Sequence, residues 1–150
     1  MLLNIKTPTL IEGRKFTDDR GQLSFANNLD LSAFKRFYLV ENHAQNFIRA
    51  WHGHLNEYKV FFPVQGSILA ACVKFGDPNN PDLTAKIDRQ VLDASSPSAL
   101  VVPSGYANGF MTLSKDAKLL VFSSSTVDES KNDDFRFPFD MWNPWVIEQR

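Results

Sequence analysis

Arg49-Ala50-Trp51-His52-Gly53-His54 is the stretch on which the reading of this chain turns. It places an arginine and two histidines within six residues, among aromatic and β-branched neighbours that favour strand. On a strand, residues two apart face the same side. His52 and His54 therefore point into a common space. About fifty residues later comes Val102-Pro103-Ser104-Gly105-Tyr106-Ala107-Asn108-Gly109-Phe110, a second segment with strand and turn character. Two such segments imply one concave site inside a β-barrel, holding either a metal or a metal-free acid–base centre.

The rest of the chain agrees with an all-β fold. Strand-like runs are Phe37–Val40, Phe47–His52, Lys59–Pro63, Ile68–Phe75, Ala99–Val102, Gly109–Leu113 and Leu119–Ser123. Between them lie turn signals at Asp18-Asp19-Arg20-Gly21, Gln65-Gly66, 76–81, 95–98 and 114–116. Short strands punctuated in this way predict a sandwich or barrel. Leu29–Lys35 is expected to form one short helical turn behind an aspartate or serine cap. The sequence predicts a single domain, 1–150, with a tail over 128–150 that packs irregularly on the sheet.

Composition narrows the function. Sixteen basic residues balance seventeen acidic ones without a cationic tract, so nucleic acid is not the expected partner. The one cysteine, Cys72, precludes an intrachain disulfide and fits a reducing compartment. It lies in an apolar run and reads as a small buried hydrophobe. The first six residues hold too short an apolar run for a signal peptide, and no run approaches the ~18 apolar residues of a membrane span. A cytoplasmic protein is expected. Thirteen phenylalanines and three tryptophans predict an aromatic core, with a few rings free to stack on a ligand.

The histidine pair followed by Glu57 resembles the start of a metal-binding cupin motif, and Pro103-Ser104-Gly105 resembles its turn. The position of the third histidine ligand is Asn108, a poor ligand for a borderline transition metal. We therefore expect no metal and no cofactor.

A second resemblance covers residues 16 to 125. Asp19-Arg20-Gly21, Asn42-His43, Arg49-Ala50-Trp51-His52, Tyr58-Lys59-Val60, Gly66-Ser67 and Pro103 to Phe110 occur in the order and spacing of the nucleotide-sugar 3,5-epimerases. That family is typified by dTDP-4-dehydrorhamnose 3,5-epimerase. The His-x-His segment is also similar to that of the related 3,4-ketoisomerases. The resemblance implies a double-stranded β-helix, the cupin jelly roll, and a homodimer. The implied ligand is a nucleoside diphosphate-linked 4-keto-6-deoxy sugar. The implied pathway is deoxysugar synthesis for surface polysaccharide such as the O-antigen of lipopolysaccharide.

By position, the resemblance makes His52 the base that takes a proton beside the C4 ketone. Lys59 stabilises the enolate oxygen, while Arg20, Phe25, Asn42, Arg49, His54 and Asn108 contact substrate. Arg20 reaches the diphosphate across a dimer interface. The family's tyrosine acid is missing from Ser123-Ser124-Ser125-Thr126-Val127-Asp128, so Tyr106 is the expected replacement, with water or His54 as rivals. The family's base-orienting aspartate also has no counterpart, which leaves Glu41 and Glu57 as candidates. With this reduced acid–base set, inversion at C3 alone is expected. A 3,5-epimerase, a 3,4-ketoisomerase and a non-catalytic sugar-binding cupin are the alternatives.

Overall fold

The computed structural model describes residues 2–150. The strands are β1 (Thr9–Glu12), β2 (Arg14–Asp18), β3 (Gly21–Phe25), β4 (Arg36–Glu41), β5 (Ile48–Gly53), β6 (Lys59–Gln65) and β7 (Ser67–Lys74). They continue with β8 (Gly76–Asp77), β9 (Asn80–Pro81), β10 (Ile87–Asp93), β11 (Ser98–Val102), β12 (Tyr106–Thr112), β13 (Lys118–Ser123) and β14 (Phe135–Arg136). Among the described residues a single α-helix, α1 (Val127–Lys131), precedes β14.

Two five-stranded antiparallel sheets hold the core, in the orders β1-β11-β6-β13-β4 and β10-β7-β12-β5-β14. We call them the β6 sheet and the β12 sheet. Alternation decides which side chains meet. Phe61, Leu100 and Val121 of the β6 sheet pack with Ile68, Cys72 and Phe110 of the β12 sheet in one cluster. Phe61 and Phe110 meet edge to face across the gap, with ring centroids 6.1 Å apart. Cys72 is a buried core residue, and burial pushes its thiol pKa up. The fold is the expected all-β jelly roll.

The opposite face of the β12 sheet is covered by the tail. Trp51 packs edge to face on Trp142 and tilted on Trp145, at 5.5 and 5.2 Å, and Phe137 packs on Phe75 at 5.3 Å. The indole Nε1 of Trp51 donates to the carbonyls of Phe139 and Trp142. The tail is thus more ordered than the sequence predicts. Residues 126–129 close a capping box that starts α1, and β14 pairs with β5. Only beyond Arg136 is it irregular.

The segment 29–35 forms turns rather than a helical turn. A bond from Phe34 N–H to the Leu31 carbonyl closes one of them. β2 and β3 pair only with each other, and Phe16 and Leu23 on this hairpin are more than half exposed.

Candidate active site

β5 carries the site, and a bulge sets its geometry. His52 lies opposite Asn108 and Arg49 opposite Phe110, so Ala50 and Trp51 together face the one residue Gly109. Residues directly opposite share a face, and Asn108 and Phe110 both look inward. The extra residue therefore turns Arg49 and His52 to the same inner side, although they are three apart. Gly109 is required there, since a Cβ would come within 2.5 Å of the Ala50 Cβ. Simple alternation misses this; it places Arg49 on the face opposite His52.

Lys59 opens β6, and Tyr58 points away from it. The phenol of Tyr58 donates to the carbonyls of Leu3 and Ile5 on the outer side. Lys59 faces inward at the level of Ser123 and Val102 and is buried. His52 thus looks out from one sheet towards a buried cation on the other. Burial, then the Lys59 and Arg136 charges, pull the His52 imidazole down to about 4. It is a neutral proton acceptor at neutral pH.

His54 is held differently. Its Nδ1 lies 2.5 Å from the Asp133 carbonyl oxygen and 3.0 Å from Glu57 Oε2. Burial and then Lys59 lower its pKa, while Glu57 and Asp133 oppose them. Its Nε2 is the one buried side-chain polar atom without a partner among the described residues. Leaving such an atom unpaired costs about 1–3 kcal/mol, a cost that a bound ligand could remove.

The other expected residues divide into two groups. Asn42 accepts a 2.7 Å bond from Arg49 Nε, so these two are joined at one end of the inner face. The Asn108 amide donates to the His52 carbonyl and ties the two site strands together. Arg20 and Phe25 lie on the separate β2–β3 hairpin. Arg20 pairs with Asp18 of its own turn and is largely exposed; within one chain neither residue is brought to the histidines.

Tyr106, the expected replacement acid, lies on the same sheet as His52 and on the same inner face. It stands two positions from Asn108 on β12. Burial raises its phenol pKa, followed by Asp88 and Cys72. It lines a cavity of about 510 Å³ with Lys74, Lys86, Asp82, Asp88 and the Thr7-Pro8 segment.

Sequence reasoning passed over two residues, Tyr38 and Arg136. Tyr38 comes from the opposite sheet: on β4, Arg36, Tyr38 and Val40 are the less exposed set, and Tyr38 packs on the inner cluster. The exposed-to-covered alternation of β4 was the available signal. Arg136 is brought by β14 directly opposite His52. Glu57, one of the two carboxylates expected beside His52, instead lies against His54, 3.0 Å from its Nδ1. No group of three or more His, Cys, Asp or Glu side chains converges in a metal-like arrangement among the described residues.

Residues 6–138 match the family described as FdtA: WxcM-like, C-terminal. The chain belongs to that family. No curated protein matches it. Several solved structures are similar to this WxcM-like chain. One is a dTDP-4-dehydrorhamnose 3,5-epimerase from Bacillus anthracis with TDP and PPi bound, 21% identical, with a TM-score of 0.73 over 95% of this chain and 86% of that one. A 3,4-ketoisomerase from Helicobacter canadensis is 21% identical, with a TM-score of 0.67 over 89% and 93%. A TDP-quinovose 3,4-ketoisomerase from Campylobacter jejuni is 23% identical, with a TM-score of 0.65 over 91% and 98%. At these identities the likeness establishes that the WxcM-like chain shares their fold. Among the described residues no helix is long and apolar enough to cross a membrane.

Proposed function

We propose that this protein is a metal- and cofactor-independent isomerase of nucleoside diphosphate-linked 4-keto-6-deoxyhexoses, and that it inverts C3. The observation that carries this reading is the facing pair: a neutral His52 on one sheet and a buried Lys59 on the other. A proton beside a ketone is acidic because its departing electron pair forms an enolate. His52 takes the C3 proton, and the pair becomes the C3–C4 double bond. The oxygen that gains charge is stabilised by Lys59, an interaction stronger in the transition state than in the ground state. Return of a proton from the other side inverts C3. Tyr38, on the inner face of the opposite sheet, is better placed for this than Tyr106.

Arg49, steadied by Asn42, supplies a fixed donor for a substrate oxygen or phosphate. Arg20 and Phe25 reach substrate from a second copy in a homodimer. The dimer reading is supported by apolar surface on the hairpin (Phe16, Leu23) and on the outer face of the β6 sheet (Phe37, Leu39, Val64). A cytoplasmic place in deoxysugar synthesis for surface polysaccharide follows from the same reading.

One observation favours a second reading. His52 and His54 lie one residue apart on β5 and its extension, and two acceptors on one side suit transfer of a proton from C3 to C4. The product would then be the 3-keto sugar. Incubation with TDP-4-keto-6-deoxyglucose, followed by product NMR, separates the two. An inverted C3 with the ketone still at C4 is expected. A ketone at C3 establishes the second reading, and unchanged substrate refutes both. Dialysis against a strong chelator is expected to leave turnover unchanged.

A further inference from the structure

The His54 ring has two unlike edges. On one edge, Nδ1 meets the Asp133 carbonyl oxygen and Glu57 Oε2. Both oxygens only accept, so Nδ1 carries the hydrogen and Nε2 keeps a bare lone pair. On the other edge, that lone pair is buried and unpartnered among the described residues.

Glu57 is itself locked. Its side chain is fully buried. Oε1 accepts from the Ser123 hydroxyl and, at 3.5 Å, from Arg36 Nη2. Oε2 accepts from the Ser130 hydroxyl at 2.9 Å. Ser130 sits on α1, held in place by the Thr126–Glu129 capping box. The Asp133 carboxylate accepts from the Leu55 and Asn56 amides, which fixes the chain that offers its carbonyl to His54. The segment 126–133 and the loop 54–57 thus clamp one imidazole from behind.

We propose that Glu57 is a positioning residue: it fixes His54 with Nδ1 protonated and Nε2 bare, making His54 a second proton acceptor beside His52. The proposal rests on the enolising function above and deepens it. With both imidazoles neutral, His52 takes the proton from C3 while the bare Nε2 of His54 accepts a hydrogen bond from the hydroxyl on the same carbon. The charges that bear on His54 are Lys59, Glu57 and Asp133, with Arg36 acting through Glu57. An anion behind Nδ1 makes Nε2 more basic, as a carboxylate partner does for other imidazoles.

The test has two arms. In the ligand-free protein, nitrogen NMR of His54, assigned by the signals lost in His54→Asn, should show the Nδ1–H form. In Glu57→Gln its titration should move to lower pH, because an opposing negative charge is gone. With TDP-4-keto-6-deoxyglucose, Glu57→Gln should slow C3 exchange about 10–100-fold and shift the acid limb of the pH profile downward. TDP affinity should stay within about twofold. A folded Glu57→Gln with an unchanged rate and pH profile overturns the proposal, as does Nε2-protonated His54 in the parent protein. Should Glu57→Gln fail to fold, Ser130→Ala removes one prop and should move both readouts in the same direction by less; no movement refutes the idea. A parent protein inert towards every nucleotide-linked 4-keto sugar would sink the enolising function, while the His54 tautomer and titration still decide the role of Glu57.

Discussion

The histidine-bearing centre and the β2–β3 hairpin were both expected to serve the substrate, yet one chain finishes only the first. His52, His54, Lys59, Tyr38 and Asn108 are set by ladders, by a bulge and by a clamp, all within the same fold. The hairpin pairs with nothing but itself, and Phe16 and Leu23 lie in the open. The difference teaches where each half of the activity resides. On the proposed function, proton chemistry is built into the jelly roll, whereas ligand contacts by Arg20 and Phe25 would need a second copy.

The centre should be most sensitive where the tail braces it. Trp142 packs edge-on to Trp51, next in sequence to His52, and donates to the Asp82 carbonyl. Trp142→Ala should cost about 3–5 kcal/mol of folding free energy, the usual range for a buried tryptophan. Chemical denaturation measures this directly. A loss below about 1 kcal/mol would mean that the tail is not a structural part of the centre.

A substitution on the hairpin should leave the fold intact and act on assembly. Replacing Phe16 and Leu23 together by aspartate removes two apolar side chains worth about 1.5–3 kcal/mol each when buried. The dimer dissociation constant should rise at least about tenfold, as sedimentation would show, with the melting of the isolated barrel little changed. Unaltered association would place the interface elsewhere and leave Arg20 without a route to the substrate.

The smallest expected effect is a pH dependence of stability. The folded chain holds His52 near 4 against an ordinary 6.5, so the unfolded chain binds that proton more readily. Stability is then full above about 6.5 and falls as pH drops from there towards 4. Melting temperature should decline through this window, and less steeply in His52→Asn. An equal decline in both proteins would assign the effect to other groups.

Much of the fold was legible because its inner strands are short, largely apolar runs bounded by turns that carry glycine, proline and aspartate. β10 was hidden by its charges: in Ile87–Asp93 only Leu92 is buried. β2 and β3 were hidden because neither face is covered in one chain, so no periodicity develops. Among site residues, His52, Lys59 and Asn108 could be read by motif and do converge. The pairing of Arg49 with His52 on one face could not be read, since it depends on a bulge that alternation does not encode. Tyr106 was placed by its position in a motif, but its sheet was set by long-range pairing. The expectation of an irregular tail overlooked the capping box at Thr126 and Glu129, which starts α1 and carries Ser130 to Glu57.

The central claim is that His52 removes the C3 proton inside a centre that one chain completes. Its most direct test compares the parent protein with His52→Asn in heavy water, using TDP-4-keto-6-deoxyglucose and NMR. Deuterium at C3 and hydrogen retained at C5 are expected in the parent. Exchange slower by about two to four orders of magnitude is expected in the variant, with TDP binding preserved. Exchange in His52→Asn at the parent rate, or none in the parent despite measurable binding, would contradict the claim.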